Sequence, residues 1–142
     1  MNENPNRISW QELFMEIAKI AAKRSCDPKT AVGCCLVKEN CVIGIGYNGT
    51  PRNFKYNFDW ATPEKYDFCI HSEANAILNA QAIGCNPAGG DIYVTLSPCH
   101  DCIKLICQAR IKRVFYLTEY KDFDLTKKIA DAAGVELIKV DL

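Results

Sequence analysis

Cys69-Ile70-His71-Ser72-Glu73-Ala74-Asn75-Ala76-Ile77, answered downstream by Ser97-Pro98-Cys99-His100-Asp101-Cys102, decides how the rest of this chain is read. The two stretches supply one imidazole, one carboxylate and two thiols. His71, Cys99 and Cys102 make a three-ligand set for a catalytic zinc, which leaves the fourth tetrahedral position for water. Zinc lowers the pKa of such a water from ~15.7 to roughly 7, so hydroxide is available at neutral pH. Glu73 follows His71 by two residues and is placed to take the water's proton without ligating the metal. Cys99-x-x-Cys102 alone also fits a structural zinc knuckle or a redox pair. A knuckle needs a fourth protein ligand, and a redox pair needs no upstream histidine.

Each stretch also opens a helix. Ala74, Ile77, Leu78 and Ala82 give an apolar pattern from Glu73 to Ile83, with Gly84 as the C-terminal stop. Pro98, tolerated in a first turn, starts a helix from Cys99 to Arg110. Two residues three apart on a helix face the same way, so both sulfurs can address one metal. Helix N-termini favour thiolate over thiol. His100, between the thiolates, is read as a pocket-lining neighbour pointing off the metal side.

Working outward, Ser9 and Glu12 read as a capping box at the start of a helix that ends near Lys23 or Arg24, with Leu13, Ile17, Ile20 and Ala21 recurring at helical spacing as its apolar stripe. Val32–Val37 and Cys41–Tyr47 read as strands joined by a turn at Glu39-Asn40. Asn48–Cys69 shows no periodicity. It reads as a substrate-side loop packed down by Phe54, Tyr56, Phe58, Trp60 and Tyr66, or else as a loop with a structural role only. Strands follow at Asp91–Leu96, Lys112–Leu117 and Val135–Val140, and a helix at Asp124–Ala133 ends on Gly134. Alternating strands and helices imply parallel crossovers. The expected fold is α/β, a three-layer α/β/α arrangement around a five-stranded mixed sheet.

With 142 residues the expectation is a single domain over 1–142. Lys plus Arg and Asp plus Glu both number 17 and the net charge is zero, with no basic run, which argues against nucleic-acid or anionic-membrane partners. No apolar stretch nears the ~20 residues of a membrane span, and Met1–Pro5 has no signal-peptide character. Nine cysteines, an odd number, fit a reducing, cytoplasmic setting. Cys34, Cys35, Cys41 and Cys107 sit among apolar neighbours and read as small core side chains.

The pattern His-x-Glu followed by Pro-Cys-x-x-Cys resembles the zinc nucleobase deaminases. Gly46-Tyr47-Asn48-Gly49-Thr50-Pro51, His71–Ile77, Tyr93–Cys99 and Ile111–Val114 narrow the resemblance to the deoxycytidylate (dCMP) deaminases, over most of the chain from about Arg24. That resemblance implies a cytidine deaminase-like fold. It implies conversion of dCMP to dUMP and ammonia for thymidylate synthesis, with Glu73 as the catalytic acid and base. It further implies a homohexamer regulated by dCTP and dTTP, with Mg2+ accompanying the nucleotide effector.

By the same resemblance Arg24 meets the substrate 5′-phosphate, Asn48 the sugar or base, and Tyr120 the substrate side. Tyr47–Pro51, with Tyr47 and Gly49, borders the effector site. Each also has a plain reading: Arg24 as a helix cap, Asn48 as a turn former, Tyr120 as a surface aromatic. One departure stands out. The family usually carries an acidic pair after the Gly-Tyr-Asn-Gly-x-Pro motif, whereas this chain has Arg52 and Lys55, with Asp59 as the candidate replacement. The two cations suit further phosphates, which raises dCTP as a second substrate. Competing readings are a tRNA adenosine deaminase, a non-catalytic nucleotide-binding module and a riboflavin-pathway deaminase.

Overall fold

The structure is a computed structural model that describes residues 2–142; the expected domain begins at Met1, which lies outside them. The elements follow the order α1 (Trp10–Ala22), β1 (Gly33–Lys38), β2 (Cys41–Tyr47), α2 (Lys65–Phe68), α3 (Ser72–Ala82), β3 (Asp91–Leu96), α4 (His100–Gln108), β4 (Arg113–Thr118), α5 (Phe123–Ala133) and β5 (Glu136–Lys139). The sheet has five strands in the order β2-β1-β3-β4-β5. β1 pairs antiparallel with β2 and β3, and β3, β4 and β5 run parallel. The mixed sheet is the one expected from the alternation of elements. Glu39 and Asn40 close the hairpin at φ 52° and 59°, the left-handed pair that a tight two-residue turn demands.

Side chains alternate across the sheet, so β1 feeds two cores. Cys34 and Leu36 join Ala76, Ala80, Ile103, Ile106 and Ala130 under α3, α4 and α5. Cys35 and Val37 join Phe14, Met15 and Ala18 beneath α1 on the other face. Because β3–α4–β4 and β4–α5–β5 are successive crossovers of one hand, α4 and α5 fall on the same face.

Several local expectations need correction. In α1 the buried stripe is Phe14, Met15, Ala18 and Ala21, while Ile20 is 62 % exposed. The reason is the closeness of the contact: a Cβ on Gly33 would lie 1.9 Å from the Ala18 carbonyl, so the helix presents small residues there. In α3 the buried set is Ala76, Ile77 and Ala80, with Leu78 and Ala82 exposed. Cys41 is exposed because it opens the edge strand β2. In the 48–69 segment Phe68, not Tyr66, completes the aromatic cluster; it lies 5.1–5.3 Å from the rings of Phe54, Tyr56 and Phe58, and Tyr66 is 69 % exposed. Ser9 accepts from the Glu12 N–H, and no reciprocal bond from Glu12 to Ser9 forms among the described residues.

Gly46 fixes how closely α3 approaches the hairpin. A Cβ there would lie 2.3 Å from the Ser72 carbonyl and 2.5 Å from the Ala76 nitrogen, both in backbone. Gly46→Ala must therefore move α3 and is expected to cost about 1–3 kcal/mol, read as a lower urea midpoint, together with a loss of bound zinc because His71 and Glu73 ride on that helix. Unchanged stability and zinc content would show that the contact is not limiting.

Candidate active site

Two helix N-termini meet over the sheet. His71 is the N-cap of α3 and Cys99 the N-cap of α4, each in extended backbone and neither using its side chain to cap. Cys99 therefore precedes the first turn it was expected to occupy, and Pro98 lies one residue before the cap. The cap positions leave both side chains free to turn toward each other. His71 Nδ1 lies 3.4 Å from Cys99 Sγ and 3.2 Å from Cys102 Sγ, and the three ligand atoms are all within 4.8 Å of one another.

A zinc ion with nitrogen at ~2.0–2.1 Å and sulfur at ~2.3 Å in tetrahedral geometry sets its nitrogen and sulfur ligands roughly 3.5 Å apart. The donor set and its spacing fit that ion. The same atoms lie within hydrogen-bonding reach of one another. Hydrogen bonds from Cys102 and His71 bring Cys99 down to about 4. Cys102 is pushed up by its partnership with that thiolate and by burial, and the bond to Cys99 raises His71. Such a cluster already holds a thiolate, and a divalent cation would take the place of the shared protons.

Glu73 is 4 % exposed, in the first turn of α3. Burial raises its pKa, against the lowering effects of the Ser72 hydroxyl, which donates to Oε1, and of nearby His71. A buried carboxyl beside a cation site is suited to carry a proton in both directions.

α5 secures the second ligand segment. Thr126, wholly buried, donates from Oγ1 to the Pro98 carbonyl at 2.8 Å. Asp122 Oδ2 accepts from the His100 N–H at 2.9 Å and lies 2.8 Å from His100 Nδ1. His100 thus turns to Asp122 and does not line the cavity, contrary to expectation: the bond to Asp122 draws the ring toward the start of α5.

The cavity beside the ligand triad is lined by His71, Ser72, Glu73, Cys99, Asn48 and Tyr120 and, unforeseen from the sequence, by Asp27 and Lys65. Asn48 is 8 % exposed; its Oδ1 accepts from the Val32 N–H and its Nδ2 donates to the Thr30 carbonyl, both at 2.8 Å. Its amide braces the 30–32 segment, and its second N–H makes no hydrogen bond among the described residues. Tyr120 is held by its N–H donating to Ser97 Oγ at 2.7 Å. Arg24 lies outside the lining; its guanidinium stands over the Tyr47 ring, 5.7 Å from the ring centre. Arg52, Lys55 and Asp59 are exposed and also outside it, and Gly49 is held in a two-residue bridge to Ile70. Asp59 spends Oδ1 on the Ala61 N–H, a local turn that keeps it away from the cavity.

A carboxylate does face the cavity, but from a different segment. Asp27 and Lys65 are 8 % and 7 % exposed, with Lys65 Nζ 2.8 Å from Asp27 Oδ2. Asp27 Oδ1 accepts the N–H groups of Lys29 and Thr30. Asp-Pro reads only as a turn in the sequence, and no periodic signal marks Lys65.

The fold and these ligands define a zinc-site deaminase of the α/β class. The match to the family model of the cytidine and deoxycytidylate deaminase zinc-binding region spans residues 8–118, and the chain belongs to that family. Among similar proteins, human deoxycytidylate deaminase is 39 % identical over 93 % of this chain and 80 % of its own length. The ComE operon protein 2 of Bacillus subtilis is 37 % identical over 96 % and 74 %. The dCMP deaminase of cyanophage S-TIM5, in complex with dCMP and dUMP, superposes with a TM-score of 0.82 at 29 % identity, covering 98 % of this chain and all of that one.

Burial raises the Asp27 carboxyl, but the bonds from Lys65 and from the two backbone N–H groups outweigh it and hold the pKa below the usual carboxylate value. A group depressed in the folded state adds stability above its unfolded pKa, ~3.9 for Asp, and loses it as pH falls through the folded value. The urea midpoint of the protein should therefore exceed that of Asp27→Asn at pH 7, with the gap closing below about pH 4. A gap independent of pH would remove the charge from the account.

Proposed function

We propose that the chain hydrolyses dCMP to dUMP and ammonia, with His71, Cys99 and Cys102 holding zinc and Glu73 carrying the protons. The observation that carries this is the burial of Glu73 beside a converged imidazole and two sulfurs, in a cavity that His71 and Cys99 also line. Zinc, when bound, makes water acidic enough to supply hydroxide at neutral pH. Glu73 accepts the proton released by that water. It gives this proton to the ring nitrogen next to the amine-bearing carbon, then moves the proton of the new C–OH group to the amino group, which departs as ammonia. The hydroxyl left on the carbon becomes the carbonyl of the uracil ring. Ser72 fixes the Glu73 carboxyl, and Asn48 and Tyr120 offer polar and aromatic surface to the sugar and base. The similarity to dCMP deaminases supports the substrate.

Residues 1–142 act as one domain. All nine cysteines are free thiols, as suits a cytoplasmic protein, and no described helix is long and apolar enough to cross a membrane. Val42 and Ile45 on β2 and Leu78 and Ile83 at α3 are exposed apolar side chains, which suits burial against further copies in a hexamer. Regulation by dCTP and dTTP with Mg2+ would use the Tyr47–Lys55 region, where Arg52 and Lys55 form no ion pair among the described residues. Those two free cations are also what favours a second reading, turnover of dCTP.

Ammonia release from dCMP, dCTP, CMP and deoxycytidine, with zinc measured on the same sample, tests the activity; dCMP should be the preferred substrate. Glu73→Gln should keep its zinc and lose turnover on the order of 10³-fold. Near-normal turnover by that variant would take the proton-carrying role from Glu73.

A further inference from the structure

The cavity carries an excess of acidic chemistry. Its lining includes two carboxyl side chains, Glu73 and Asp27. A nucleotide monophosphate adds a dianion to this space. Arg24, Arg52 and Lys55, the cations the sequence offered for phosphate, do not line the cavity. Among the lining residues Lys65 is the one with a permanent positive charge.

We propose that Lys65 is the phosphate-binding residue for the nucleotide, with Asp27 as the residue that positions it; this deepens the dCMP reading and rests on it. The Lys65 ammonium has three N–H donors. One goes to Asp27 Oδ2 at 2.8 Å, and no second hydrogen bond forms among the described residues. The Tyr66 ring lies 5.3 Å from Nζ, on a side that takes up no donor in a directed bond. Donors therefore remain for an incoming oxyanion.

Asp27, in contrast, is nearly saturated. Oδ1 takes two backbone N–H groups and Oδ2 takes Lys65. It is a holder, and a poor candidate for binding sugar hydroxyls. The holder is itself braced: Ser25 Oγ accepts the Asp27 N–H and donates to the Asn48 carbonyl, and the Asn48 amide bonds the 30–32 segment. Lys65, Asp27 and Asn48 thus form one connected wall of the cavity.

Energetics point the same way. Burying an ion pair gains little stability over an apolar pair of the same shape, because desolvation offsets the Coulomb attraction. A buried pair that faces a cleft is more readily explained by a ligand. Charge-assisted bonds from ammonium to phosphate are strong, and a preformed ammonium avoids the cost of ordering a flexible lysine.

The test compares wild type, Lys65→Met and the double variant Asp27→Asn/Lys65→Met, which removes both charges so that an unpaired buried carboxylate does not decide the result. Each is assayed for dCMP turnover, for inhibition by deoxycytidine and for bound zinc. The expected result is a KM for dCMP raised about 10- to 100-fold in both variants, with kcat within about threefold, zinc unchanged, and a deoxycytidine inhibition constant that does not move because that molecule has no phosphate. Equal loss of dCMP and deoxycytidine binding, or an unchanged KM, overturns the assignment while leaving the deaminase reading intact. A wild-type protein that releases no ammonia from dCMP overturns both. A crystal structure of the wild type with dUMP gives a readout independent of variant folding: a phosphate oxygen within ~3.2 Å of Lys65 Nζ supports the proposal, and a phosphate held by Arg24 or Arg52 instead ends it.

Discussion

The seating of α3 on the β1–β2 hairpin is the contact on which the rest depends. It is possible because β2 carries glycine where the helix backbone passes; at Gly46 even a methyl group would meet the Ser72 carbonyl at 2.3 Å. That closeness puts the first turn of α3 against the sheet, with Ser72 and Glu73 buried in it. His71, one residue earlier, is thereby aimed at the start of α4. A longer helix-to-sheet distance would leave that carboxyl in water, without the burial that raises its pKa.

The second half of the site is held from the opposite side. Thr126 and Asp122 of the α5 region bond the Pro98 carbonyl and the His100 N–H, the backbone groups on either side of Cys99. Three helices are thus needed to set three ligand atoms, although no ligand comes from α5. This division is economical in chemistry: the ligating side chains spend nothing on capping, because neighbouring residues satisfy the backbone around them.

Polar groups around the cavity form chains rather than isolated bonds. Ser25, Asp27, Lys65 and Asn48 come from three places along the sequence and share hydrogen bonds across up to 38 positions. Among buried groups such a chain stays rigid only if nearly every member is satisfied. The aromatic cluster of residues 54–68 serves the same end by different physics, since stacked and edge-on rings order a segment that has no regular secondary structure beyond the single turn of α2.

The sequence by itself determined the order of elements apart from the short α2, the mixed five-stranded sheet, and the candidate ligand set His71, Cys99 and Cys102 with Glu73 beside it. These are legible because they depend on spacing within one helix turn, on alternation along a strand, and on turn residues such as Glu39-Asn40. Tertiary structure alone decided that Phe14 and Met15, not Ile20, face the core, that Phe68 replaces Tyr66 in the aromatic cluster, that His100 turns to Asp122, and that Asp27 and Lys65 line the cavity while Arg24, Arg52 and Lys55 do not. Each of these turns on what a side chain meets from a distant segment: a glycine that lets a helix close in, or a carboxylate that repays a buried ammonium. Local periodicity contains no term for such a partner.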